Sequence, residues 1–180
     1  MTHVLAEVDW ELAFLHEIAN VLDRDLNRLD KEIQGHPDPD SIGLLDDCEN
    51  RAKLGFVACQ LYISFVVGWG RARLPKRERP HQECLVRGPK HVNGLPIAQI
   101  VHAAGNYVKH HADGDIHKST REVLAKSKFW RSEPSRAGEA LDYPLANLLS
   151  QIVEPAPCRF APLLALLEQW RDDLIAADLI

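Results

Sequence analysis

The sequence predicts an all-α protein: a helical bundle of five to six helices with a long basic loop between the second and third. Two observations carry this. Apolar residues recur at steps of three and four along most of the chain, the spacing that lines up one face of a helix. The one stretch of strand-like composition, YISFVV at 62–67, has no partner elsewhere with the period-two alternation of a half-buried strand. Length and composition set the scale, since 180 residues with 46% in the hydrophobic set and 26% charged suit one globular domain with a sizeable core. The chain is expected to form a single helical domain over 1–180, with a core bundle over about 9–130 and C-terminal helices over about 142–178. The same composition excludes disordered, collagenous and repeat architectures.

The elements follow in order. Leu15, Ala19, Leu22, Leu26, Leu29 and Ile33 place an apolar stripe on a first helix from about Asp9 to Gln34, closed by Gly35-His36-Pro37. A second helix starts near Asp40-Ser41, either of which suits an N-cap, and runs through Leu44, Leu45, Cys48 and Ala52 into the apolar stretch Leu54 to Trp69. That stretch is apolar nearly all round and is expected to be the most buried element. It spans 16 residues and includes Gln60 and Ser64, so it is too short and too polar for a membrane span. Gly70 to Gly94 reads as a long surface loop with one helical turn at most, and loops of that length usually carry function. A third helix runs from Leu95-Pro96 to about His111 or Ala112, with its proline in the first turn. Ser119-Thr120-Arg121-Glu122 matches a capping box and opens a shorter helix reaching about Trp130. Asp142-Tyr143-Pro144 opens another with Leu145, Leu148, Leu149 and Ile152, and Pro162 begins the last, which carries Leu163, Leu166, Leu167, Trp170 and Leu174. Trp10, Trp69, Trp130 and Trp170 are expected in the core or at an interface.

The formal net charge of −5 is unevenly spread. Residues 1–50 hold 3 Lys/Arg against 13 Asp/Glu, residues 51–136 hold 16 against 6, and residues 137–180 hold 2 against 7. A basic middle between acidic ends implies a phosphate-bearing partner or pairing between the blocks, within one chain or across two. The start, MTHVLAEVDWEL, has no basic region leading into an apolar core, and Cys48, Cys59, Cys84 and Cys158 form no CxxC pair. A cytoplasmic, reducing setting without membrane attachment is expected.

Candidate chemistry gathers on the third helix. At about 100° per residue, Ile97, Ile100, Val101, Ala104, Tyr107 and Val108 share one face, while Gln99, His102, Asn106, Lys109, His110 and Asp113 share the other. His111 falls back on the apolar side, so His110 and His111 are expected in different environments. Six of the nine histidines lie between 81 and 117, within the basic block, a composition suited to acid–base chemistry near neutral pH or to phosphate contact. Arg71, Arg73, Lys76, Arg77, Arg79, Arg87 and Lys90 form the candidate RNA- or phosphate-binding patch; no aromatic residue sits among them, which favours backbone contact over base stacking. The run His110-His111-x-Asp113-x-Asp115-x-His117, and His81-x-x-Cys84 with His91 downstream, contain ligand types at no known zinc or calcium spacing. No metal and no cofactor is expected. There is no Gly-rich phosphate loop, Gly-x-Ser-x-Gly elbow, His-Glu-x-x-His or kinase motif set.

A long first helix, a long apolar second helix, a variable loop and a third helix with Asn106-x-x-x-His110 together resemble the HEPN domain, a helical module of bacterial toxin–antitoxin, phage-defence and RNA-processing proteins. The family motif is an arginine, usually a polar residue next, and a histidine closing a six-residue window. The matching window is Gly105-Asn106-Tyr107-Val108-Lys109-His110, with glycine where the family has arginine. The resemblance covers about residues 10–130 and implies a dimer that binds RNA or nucleotide, possessing, where active, metal-independent endoribonuclease chemistry. His110 would then act as acid or base, Asn106 would orient it or hold phosphate, and Lys109 with the loop arginines would face the phosphate charge, though lysine offers no guanidinium fork. His102 completes the candidate catalytic set. Two other readings stand beside it: a non-catalytic protein-binding or scaffold subunit that uses its basic middle, and a metal-dependent hydrolase built on His102, His110, Asp113 and His117.

Overall fold

Two long helices, α1 (Thr2–Gly35) and α2 (Leu44–Arg73), form an antiparallel hairpin on which the rest of the chain is laid in a computed structural model. The structure describes residues 2–73, 80–91, 93–114, 116–127, 129, 142–153 and 158–180. Across the hairpin, α3 (Pro80–Leu85) and α4 (Ile97–His110) pack on α2, and α5 (Lys118–Lys126) packs on α4. A single 3-10 turn, His111–Asp113, links α4 to the segment before α5. The C-terminal part adds α6 (Pro144–Ile152) against α2 and α7 (Ala161–Ala176) against α1 and α4. The protein is all-α. The described residues hold seven α-helices, one or two more than the sequence predicts, and one isolated bridge between Lys90 and Pro96.

The periodic stripes settle where the core lies. Leu15, Ala19, Leu22, Leu26 and Leu29 of α1 are buried, and so are Ala52, Phe56, Cys59, Ile63, Val66 and Val67 of α2. By length and composition alone, α2 over Leu44–Trp69 would suffice to cross a membrane, but half of its most apolar window is buried inside the bundle. Two glycines let helices meet closely. A Cβ on Gly55 would run into the Phe160 ring, and one on Gly105 would lie 2.6 Å from the Gln60 Cβ. Phe56 and Phe160 meet edge to face at 5.9 Å across the same junction.

Several polar groups tie the C-terminal helices to the hairpin. Glu49 is buried on α2, and its carboxylate accepts from the Leu145 and Ala146 amides at 3.0 and 2.9 Å, so a residue of another helix caps α6. Asp23 of α1 does the same for the chain entering α7, accepting from the Phe160 amide at 2.7 Å and the Ala161 amide at 2.9 Å. Trp170, fully buried, donates its indole N–H to the Cys84 carbonyl at 2.8 Å.

The predicted boundaries need three corrections. Asp40 and Ser41 do not cap α2; they lie in the turn before it, where the Asp38 side chain accepts from the Ser41 amide at 3.3 Å and Gly43 takes φ 76°. The basic stretch is not one long loop, because α2 continues through Arg73 and α3 occupies Pro80–Leu85. The expected capping box at Ser119 gives way to His117, whose side chain accepts from the Ser119 amide and starts α5 earlier. Of the tryptophans, Trp170 lies within the core, Trp69 packs on its edge and Trp10 is 76% exposed on the hairpin surface; Trp130 lies outside the described residues.

Candidate functional site

α4 positions the site because its two faces meet different surroundings. Ile97, Ala98, Ile100, Val101, Ala103 and Ala104 are buried against α2 and α7. On the other face, Gln99, His102 and Asn106 line open space, and Lys109 and His110 are exposed. The predicted sidedness of the helix is what the structure shows.

Two adjoining cavities run along that face and share Asn106 and Thr120. One, of about 280 Å³, lies between α3, α4 and α5 and is lined by His81, Gln99, His102, Asn106, Ser119 and Thr120 among others. The second, of about 270 Å³, is lined by Asn106, His110, Ile116, His117 and Thr120. Together they form one groove that presents four imidazoles from three elements. Of the four predicted catalytic residues, His102, Asn106 and His110 line it. Lys109 does not, and it makes no hydrogen bond or ion pair among the described residues.

A hydrogen-bond chain fixes the middle of the groove. Gln60, 1% exposed on α2, donates its amide Nε2 to Asn106 Oδ1 at 2.5 Å. Asn106 Nδ2 then faces His102 Nδ1 at 3.3 Å. With Oδ1 already accepting, the Asn106 amide must donate to His102, so the neutral ring carries its proton on Nε2. Burial, then the charges of His81 and Lys109, pull the His102 pKa down to about 4. His102 is therefore a neutral N–H donor at pH 7 rather than a base. The His81 ring stands edge-on to it at 5.1 Å. Gln60 Oε1 is buried without a partner among the described residues, a cost that its rigid hold on Asn106 must offset.

At the far end, His117 Nδ1 accepts from the Ser119 amide at 3.3 Å and meets the Ser119 hydroxyl at 2.7 Å. His110 has no hydrogen-bond partner among the described residues, which leaves both ring nitrogens available. His111 stacks on Tyr107 at 4.9 Å on the other side of the helix, so the two neighbouring histidines do occupy different environments. That other side faces a larger opening of about 530 Å³ lined by Asp40, Asp46, Glu49, Asp142, Lys53 and the Tyr107–His111 stack.

The sequence prediction missed Gln60, which holds Asn106, and Ser119 and Thr120 of the groove; it named His81 and His117 only as candidate metal ligands. His117 stood in the histidine run, but only the loop after α4 turns it back to face His110. Gln60 carried a signal, as a lone amide in an apolar stretch. The predicted basic patch is placed only in part. Arg87 and Lys90 are exposed and line neither cavity; Lys76, Arg77 and Arg79, and the side chains of Arg71 and Arg73, lie outside the described residues. Among the described residues no three His, Cys, Asp or Glu side chains group as a metal site, and the Asp113 side chain lies outside them.

No protein-family model, no curated protein and no solved structure matches this chain.

Proposed function

We propose that the chain binds RNA or a nucleotide along the α4–α5 groove and cleaves the RNA phosphodiester without a metal. The observation that carries this reading is that Asn106, His110 and His117 meet around one cavity next to the neutral His102. Acid–base cleavage of RNA needs one group to take the proton of a ribose 2′-hydroxyl and another to protonate the departing 5′-oxygen. His110 and His117 can divide those roles. The 2′-oxygen attacks phosphorus, the bond to the 5′-oxygen breaks, and the products are a 2′,3′-cyclic phosphate and a free 5′-hydroxyl. Asn106, locked by Gln60, and His102 Nε2–H are hydrogen-bond donors or acceptors held in fixed positions for phosphate oxygens. The HEPN resemblance supports the same assignment of Asn106 and His110, and with it comes a cytoplasmic role in stress response, phage defence or toxin–antitoxin pairing. Gly105, buried against Gln60, has no room for the family's arginine, so Lys109 is the cation nearest the motif on α4.

Purified protein incubated with RNA tests this. The reading expects cleavage that survives a chelator and disappears in His110→Ala. Chelator-sensitive cleavage would favour a metal-dependent hydrolase, and intact RNA would leave only binding.

A separate observation bears on the expected dimer and concerns the outer face of the hairpin. Trp10, Phe14 and Val21 of α1, and Leu54 and Leu61 of α2, are all more than half exposed. Asp25 and Arg51, which pair at 3.3 Å, lie on the same two stripes, so the stripes adjoin along one side of the hairpin. Five such side chains expose on the order of 500 Å² of apolar surface, at the upper end for a monomer. Doubled across a two-fold axis, that reaches about 1,000 Å², the lower bound for a specific interface. Arg24, Arg28, Glu17 and Glu32 border the stripe with both charge signs, which suits a second copy of the same face better than a partner of single charge. We propose that this face makes the homodimer.

A further inference from the structure

We infer that the N-terminus of α5 is an anion site that holds a phosphate group of the groove's ligand, with Thr120 as its side-chain ligand. α5 has nine residues and no acidic residue in its first turn. The first donors of a helix have no acceptor within it, and the helix dipole makes that end attractive to anions. Here the Ser119 amide is taken by the His117 side chain and the Arg121 amide by the His117 carbonyl at 3.1 Å. Among the described residues the Lys118 and Thr120 amides meet no acceptor; Thr120 lines the groove, and Lys118 lines neither cavity. Such an end is common in proteins, and alone it would identify nothing.

Thr120 supplies the independent observation. It is 6% exposed, its hydroxyl has no hydrogen-bond partner among the described residues, and it lines both halves of the groove. The hydroxyl itself is not enclosed by protein, so it opens to the solvent of the cavity and can donate to a ligand there. Its opening is into the cavity it shares with Asn106, His110 and His117. A tetrahedral oxyanion placed there would meet the Thr120 hydroxyl and amide from one side and the His110 ring from the other. Arg121, exposed on the first turn, adds positive charge outside the cavity, and Lys118 pairs there with Glu122 at 3.8 Å. An apolar ligand would leave these donors unmet, and a cation would face the wrong end of the dipole.

The inference deepens the proposed function, since it places a phosphate next to the two histidines assigned to proton transfer, but it does not require cleavage. The test is an amide-resolved NMR titration of the full chain at constant ionic strength with inorganic phosphate, adenosine 3′-monophosphate and adenosine. Phosphate and the nucleotide are expected to shift the Lys118 and Thr120 amides saturably, and adenosine alone is not. Thr120→Val should weaken phosphate binding about ten-fold, the loss of one hydrogen bond to a charged group, and Thr120→Ser should restore most of it. Shifts that follow chloride as well as phosphate, or a Thr120→Val variant that binds as tightly as the parent, would overturn the site. Bound phosphate with intact RNA would sink the cleavage reading and keep this one. RNA cut by a protein whose Lys118 and Thr120 amides ignore phosphate would do the reverse.

Discussion

Replacing Gly105 by alanine sets two effects of opposite sign against each other. In an exposed helix interior the change would stabilise by up to about 1 kcal/mol, because alanine loses less backbone entropy. At this crossing the added methyl would sit 2.6 Å from both Cβ and Oε1 of Gln60 and 2.8 Å from its Cδ. Gln60 cannot swing clear as a surface side chain would, since its Cβ is anchored on α2 and its amide is tied to Asn106. Either the helices separate or the Gln60 amide turns away. The first is overpacking, worth about 1–3 kcal/mol, and the second breaks a buried hydrogen bond, worth about 1 kcal/mol more. The net expectation is a loss of about 1–3 kcal/mol. For a domain of this size each kcal/mol moves Tm by about 2–4 °C, so a thermal melt followed by far-UV circular dichroism should show Gly105→Ala unfolding about 5 °C below the parent. An unchanged or raised Tm would refute the reasoning, because helix propensity alone would then have decided the outcome. Gly105→Arg, which would complete the motif of HEPN domains, is expected to misfold without gaining RNA cleavage.

Three further outcomes are expected. The His102 ring should titrate near pH 4 by NMR; because its folded pKa lies below the unfolded value of about 6.5, stability should be full above pH 6.5 and fall as pH drops from 6.5 toward 4, and His102→Gln should reduce that slope. A ring that titrates near 6.5 would contradict its burial beside His81 and Lys109. Glu49→Ala should leave the Leu145 and Ala146 amides without acceptors, at about 1–3 kcal/mol, and speed their hydrogen exchange more than that of α4 amides; uniform acceleration would mean that the cap is not local. Leu61→Glu should turn a dimer into a monomer in sedimentation equilibrium without lowering helix content, whereas a parent that stays monomeric at every concentration would sink the hairpin-face interface.

The helices were legible in the sequence wherever one stripe of apolar residues met the core, as in Leu15 to Leu29 or Leu163 to Leu174. Their ends were less so. His117 took the capping position because its imidazole accepts from the Ser119 amide two residues on, a role that composition rules assign to Ser, Thr, Asn and Asp. α3 hid inside a stretch rich in Pro and Arg, since six residues give no periodicity to read. Half the site was visible as a polar face of α4, because helical spacing alone puts His102, Asn106 and His110 on one side. The rest was not, because Gln60 lies 46 positions upstream of Asn106 and Thr120 arrives from the next helix. The glycine at 105 looked like a gap in a motif; in the fold it is the contact that lets Gln60 reach Asn106.

The most direct test of the account is the chemistry of the product ends. A defined oligoribonucleotide and its all-deoxy counterpart would each be treated with the protein in chelator, and the products analysed by phosphorus NMR. Attack by the 2′-hydroxyl predicts a 2′,3′-cyclic phosphate from the ribo substrate and an untouched deoxy substrate. Cleavage of the deoxy strand, or ribo products without a cyclic phosphate, would contradict it.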